Sequence, residues 1–146
     1  MQQNKIRVGI IGCGMIFERH IEAIETNSDI FELVAVCDID EVKLKIKSDK
    51  YGVPGYQNYK DMLEKMYGKM DMVSICTPNS IHYSQAEDSL KSGYDILVEK
   101  PVDFNSSRIE ELVELAAKMK KEAYCVLQVR YNPTVILLKS AINSEL

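Results

Sequence analysis

The sequence has 146 residues, of which 46% are hydrophobic and 27% charged, with a formal net charge of −4. That length suits a single globular domain able to bury a real core. The acidic balance argues against a nucleic-acid or anionic-membrane surface, which needs clustered Lys and Arg; Lys43, Lys45, Lys47 and Lys50 are instead interleaved with apolar and acidic residues, as on a solvated helix face.

Apolar runs alternate with helical patterns along the chain. Ile6–Ile11 is a continuous apolar run ended by Gly12, which reads as a buried strand. Ile16, Phe17, His20, Ile21 and Ile24 follow with helical spacing. Phe31–Cys37 is a second strand. Glu41 to Gly52 is a second helix, with Gly52 as its stop. A brief third strand fits at Gly55–Tyr56, and Met62, Leu63 and Met66 mark a short helix. Asp71–Cys76 is a fourth strand, ended by Thr77-Pro78-Asn79. A fourth helix covers Ile81–Ser92, with Gly93 as its stop.

Asp95–Val98 is a fifth strand, closed by Glu99, Lys100 and Pro101. Asn105 or Ser106 caps a long helix carrying Ile109, Leu112, Val113, Ala116 and Met119. Ala123–Val129 reads as a sixth strand, and Pro133 starts a last helix through Leu137, Leu138 and Ile142. The strands lack apolar/polar alternation, so they fit a parallel sheet covered on both faces. The expected fold is α/β, a doubly wound Rossmann sheet in the order 3-2-1-4-5-6, over residues 1–146.

Such sheets bind ligands at the carboxyl ends of their strands. After the first strand comes Gly12-Cys13-Gly14. Gly12 permits a tight turn, and Gly14 lets a pyrophosphate approach the backbone. The amides opening the first helix, at Met15 and Ile16, then serve as anion donors. The third fingerprint position is Phe17 and not Gly or Ala, and a plain structural turn is an equal reading of two glycines. Asp38, ending the second strand, shifts that balance. Its carboxylate suits both hydroxyls of an adenosine ribose and repels a 2′-phosphate, which favours NAD over NADP; Asp40 is left to cap the second helix.

Thr77, Pro78 and Asn79 offer polar atoms where the second ribose and nicotinamide would lie, while His82 reads as a surface histidine on a first helical turn. Pro101 keeps Lys100 extended, so the Glu99 and Lys100 side chains point to opposite sides. A lysine there can exchange a proton with a hydroxyl being oxidised, and Glu99 can bind the nicotinamide ribose. The plain reading of the same pair is exposed charge at a sheet edge.

Gly12-x-Gly14, Asp38, Thr77-Pro78-Asn79 with His82, and Glu99-Lys100-Pro101 together resemble the N-terminal half of the Gfo/Idh/MocA oxidoreductases, from about Lys5 onward. The resemblance implies hydride transfer between NAD and a secondary alcohol of a sugar. It makes Lys100 the catalytic lysine, with a cis bond to Pro101, and places Asn79, His82 and Glu99 in the cofactor pocket.

Leu127–Lys139 resembles the branch acting on UDP-N-acetylglucosaminuronic acid. In that branch Gln128 lies by the cofactor and Arg130 by the substrate; a plain loop charge is an equal reading of Arg130. Family members carry a second α/β domain that binds substrate and supplies a catalytic histidine. Neither His20 nor His82 follows the expected strand, so this chain is expected to be a piece of a longer, homo-oligomeric enzyme, inactive alone. The competing expectation is a stand-alone, non-catalytic NAD(H)-binding regulatory module. A Rossmann-like methyltransferase would also use Asp38, but Glu-Lys-Pro does not suit methyl transfer.

Cys13, Cys37, Cys76 and Cys125 match no metal-ligand spacing. Three of the four sit in apolar runs, as in a reducing compartment. No apolar run approaches the ~20 residues of a membrane helix, and the N-terminus lacks a signal layout. The expectation is a soluble cytoplasmic protein.

Overall fold

The computed structural model describes residues 5–143. Six strands, β1 (Ile6–Ile11), β2 (Phe31–Cys37), β3 (Gly55–Tyr56), β4 (Met72–Ile75), β5 (Asp95–Val98) and β6 (Ala123–Cys125), form one sheet in the order β3-β2-β1-β4-β5-β6. All five pairings are parallel. The helices are α1 (Phe17–Thr26), α2 (Glu41–Tyr51), α3 (Tyr59–Lys65), α4 (His82–Lys91), α5 (Ser106–Met119) and α6 (Pro133–Asn143). This is the doubly wound Rossmann sheet that the uninterrupted apolar runs imply.

The register aligns the strand ends. Ile11 lies opposite Cys37 on one side and Ile75 on the other, Ile75 opposite Val98, and Val98 opposite Cys125. The next residues along, Gly12, Asp38, Cys76, Glu99 and Val126, therefore form one row across the sheet's lip. That row is where the chain leaves the pleat and where side chains become available to a ligand.

Two cores hold the layers. On one face Ile75, Ile96 and Val98 pack under Met62, Leu63, Leu90 and Leu112 of α3, α4 and α5. On the other, Val8, Ile10 and Val36 pack under Phe17, Ile21 and Leu44 of α1 and α2. Each fully buried large side chain contributes roughly 1.5–3 kcal/mol. The second face is covered less completely. An apolar depression of about 340 Å³ opens there, lined among others by Ile24, Phe31, Met72, Leu97 and Tyr124.

Several boundaries differ from the sequence reading. β4 starts at Met72, and the Asp71 carboxylate just before it is held by Arg7 through three hydrogen bonds of 2.7–2.9 Å. β6 stops at Cys125, well short of Val129. Leu127 turns the chain at φ −124°, ψ 60°, and Gln128–Tyr131 form a 3₁₀ turn. A second 3₁₀ turn, Asn79–Ile81, precedes α4. Asn105 caps α5, accepting from the Ser107 amide at 3.0 Å. Val113 does not join the core: it is 60% exposed, because only the Leu112 and Ala116 edge of α5 faces the sheet. No residue of α6 is buried, although Ile136, Leu137, Leu138 and Ile142 are all large and apolar.

Candidate active site

Gly12 is the pivot of the lip. Its φ is +102°, and a Cβ there would lie 2.7 Å from the carbonyl carbon and oxygen of Cys76. Only glycine lets the β1–α1 turn rest on the end of β4. Gly14 is different: nothing lies within 4 Å of the position its Cβ would take. That space is open to a group pressed against the backbone. No side chain caps α1, and among the described residues the Gly14, Met15 and Ile16 amides bond no protein acceptor. Free amides at a helix N-terminus facing open space suit a diphosphate. The Met15 side chain itself projects into solvent, 98% exposed.

Asp38 ties this turn to the next one. Its Oδ2 accepts from the Cys13 amide at 2.6 Å and its Oδ1 from the Asp40 amide at 2.8 Å. A carboxylate has about four lone-pair sites, so acceptor capacity remains for ribose hydroxyls. Asp40 caps α2, accepting from the Val42 and Lys43 amides. Those bonds, the Lys43 amide first, hold its carboxyl below the ordinary carboxylate value. The helix cap expected of Asp40 is thus seen in the fold, which leaves Asp38 free of that task.

A groove of about 680 Å³ runs along the lip, lined by Gly12, Gly14, Asp38, Thr77 and Pro78 together with Gln85 and other residues. Gln57, Asn58, Tyr59 and Lys43 also border it, and sequence reasoning passed over them. The signal was present, since residues 57–59 follow a strand end, but a two-residue strand is a faint marker. Thr77 donates to Gln85 Oε1 at 2.6 Å. Asn79 is exposed on the 3₁₀ turn beyond. The cysteines of this region are packing residues: burial pushes the Cys13, Cys37 and Cys76 thiols up to about 12.

His82 corrects the surface reading. It is fully buried, with Nδ1 2.8 Å from the Pro101 carbonyl oxygen and Nε2 2.7 Å from that of Thr77. The helix turn that carries it is covered by the chain after β5, a long-range packing that local helix chemistry does not encode. Glu99 is 7% exposed and points inward, with Oε1 3.0 Å from His20 Nε2. His20 Nδ1 is 2.8 Å from Ser74 Oγ. Lys100 points the opposite way into solvent, and its bond to Pro101 is cis. Its ammonium makes no hydrogen bond or ion pair among the described residues.

Gln128 and Arg130 sit exposed on the 3₁₀ turn after β6, not on a strand. Arg130 lines a separate depression with Tyr131, Ile136 and Lys139. Burial raises the Cys125 thiol, Glu99 adds to the rise, and the charges of Arg130 and Lys100 oppose it.

Residues 6–128 match the sequence model of the Gfo/Idh/MocA family, described as an oxidoreductase family with an NAD-binding Rossmann fold. D-glucoside 3-dehydrogenase of Escherichia coli is 32% identical over 123 residues, covering 83% of this chain and 34% of that one. Inositol 2-dehydrogenase of Rhizobium meliloti is 28% identical over 138 residues, covering 94% and 41%. The WlbA dehydrogenase from Chromobacterium violaceum, solved in complex with NADH and UDP-GlcNAcA, superposes with a TM-score of 0.92 at 34% identity, over 99% of this chain and 41% of that one. The WlbA dehydrogenase from Bordetella pertussis, in complex with the same two ligands, gives 0.90 at 31% identity, over 97% and 42%. The chain thus spans between 34% and 42% of the length of these relatives.

Proposed function

The chain belongs to the Gfo/Idh/MocA oxidoreductases and carries their NAD-binding Rossmann domain, and from that premise we propose that it is the cofactor half of a longer sugar or nucleotide-sugar dehydrogenase. The observation that carries the reading is the shared row: Gly12, Asp38 and Glu99 stand level at the lip, with Lys100 one residue further. Bound NAD supplies the hydride acceptor at its nicotinamide ring. The amides of Gly14, Met15 and Ile16 donate to the diphosphate, and Asp38 accepts from the adenosine ribose. Thr77, Pro78 and Asn79 border the second ribose and nicotinamide, with Gln128 across the lip.

Lys100 holds or takes the proton at the hydroxyl oxygen of the substrate carbon that loses hydride. Arg130 offers a planar donor fork to an anionic substrate group. Likeness to the two WlbA dehydrogenases supports a nucleotide sugar as that substrate. The bare apolar side of α6 supports a second, substrate-binding domain covering it and a homo-oligomeric whole enzyme. No helix among the described residues is long and apolar enough to cross a membrane. The free thiols support a cytoplasmic setting.

Calorimetry on this chain tests the cofactor half of the reading. NADH is expected to bind, S-adenosylmethionine not to, and Asp38→Asn to weaken NADH about tenfold or more, a change of ~1.4 kcal/mol. Equal affinity of wild type and variant removes Asp38 from the site. The reading frame downstream of the coding segment tests the rest: a stop codon directly after Leu146 favours the non-catalytic module.

A further inference from the structure

The chain's two histidines grip the residues on either side of Lys100. On one side, His20 of α1 reaches across the sheet face to Glu99 Oε1 at 3.0 Å. Its other nitrogen is anchored 2.8 Å from Ser74 Oγ, in the middle of β4. Ser74 is buried, and the His20 and Glu99 side chains are each only 9% exposed. On the other side, the His82 ring spans the carbonyl oxygens of Pro101 and Thr77. One support therefore runs from a neighbour of Lys100 to Ser74 within β4, and the other to Thr77, which lies just beyond the end of β4 and lines the cofactor groove.

We propose that His20, with Ser74 and Glu99, is a positioning residue that sets the Lys100 turn relative to the cofactor groove, with His82 supporting the turn from its far side. This rests on the reading of Lys100 as the group at the reacting oxygen. A lysine ammonium sits on a flexible four-carbon stem. Its placement depends on a fixed backbone beneath it, and a loosely supported group loses that placement. With Nε2 carrying the proton, His20 donates to Glu99 and accepts the Ser74 hydroxyl at Nδ1. The bonds then run in one direction and every buried polar group is satisfied. Glu99 Oε2 completes the arrangement by accepting from the Lys100 amide at 3.3 Å, so the carboxylate touches Lys100 through its backbone. On this assignment Glu99 acts from beneath the lip and does not bind ribose directly.

The test follows the lysine itself. The chain is reductively methylated with ¹³C-formaldehyde, and the Lys100 methyl resonance is identified by its loss in Lys100→Arg. In wild type this resonance is expected to stand apart from the surface-lysine cluster and to move when NADH is added. A glutamine amide reaches as far as Nε2 of histidine, an asparagine amide only as far as Nδ1. His20→Gln is therefore expected to keep the wild-type resonance, and His20→Asn to bring it into the cluster and abolish the NADH response. Ser74→Ala, a one-atom deletion, is expected to move it in the same direction and serves if His20→Asn does not fold.

A folded His20→Asn or Ser74→Ala with the wild-type resonance and NADH response overturns the proposal. So does a displaced resonance in His20→Gln equal to that in His20→Asn, since a role in filling space alone would not separate the two amides. Failure of wild type to bind NADH overturns the dinucleotide reading instead, and the ligand-free Lys100 resonance in the same variants still decides the role of His20.

Discussion

At the scale of single residues, the two glycines of the β1–α1 turn stand in opposite surroundings. An alanine at position 12 meets both a left-handed φ of +102° and the Cys76 carbonyl at 2.7 Å. Gly12→Ala is expected to destabilise the fold by about 3 kcal/mol, read as a lower urea midpoint. Gly14→Ala meets no protein atom within 4 Å and should leave the midpoint within ~1 kcal/mol of wild type, yet weaken NADH about tenfold or more. A Gly14→Ala protein binding NADH like wild type would place the diphosphate elsewhere. Gly12 and Asp38 stood out in the sequence as candidates because each directly follows an apolar run, and Gly14 because it lies two residues past Gly12. His20 did not. It is a lone histidine on an amphipathic helix, and its partners lie 54 and 79 positions away. His82 was misread for the same reason: its burial comes from Pro101, across the sheet.

At the scale of elements, the sheet was readable because buried parallel strands are nearly unbroken apolar runs. β6 was read too long: the run continues through Val126 and Leu127, but Leu127 turns and the chain winds into a 3₁₀ turn. Hydrophobicity alone carries no sign of that bend. An ion pair stands at the start of β4. The Arg7 side chain on β1 bonds both oxygens of Asp71, through Nε at 2.9 Å and one terminal nitrogen at 2.7 Å. This holds the Asp71 carboxyl below its ordinary 3.8. A depressed carboxyl stabilises the folded state above its unfolded value, and that contribution disappears as pH falls through the folded value. Asp71→Asn is therefore expected to lower the urea midpoint near neutral pH and to match wild type once the pH has fallen below the depressed folded value. The difference is small because the pair is partly exposed and screened. A gap that persists undiminished in strong acid would show that the ion pair is not its source.

At the scale of the whole molecule, the two faces of the sheet are finished unequally. The α3, α4 and α5 face is closed, while the α1 face keeps an apolar depression and α6 leaves its large side chains bare. Leu137 is 71% exposed, so Leu137→Glu is expected to change the stability of this chain by no more than ~0.5 kcal/mol. A larger loss would mean that α6 is packed in solution.

The double tether on Asp38 bears on how coenzyme preference could be re-engineered or could drift. On the proposed reading, the oxygens that would face the adenosine sugar also brace the loop that would receive the phosphates, through the Cys13 and Asp40 amides. Swapping this acid for a small neutral residue to admit NADP would slacken the anchor for the rest of the coenzyme. A successful switch therefore needs at least two coordinated changes: one to welcome the extra phosphate, and another to restore the lost strut.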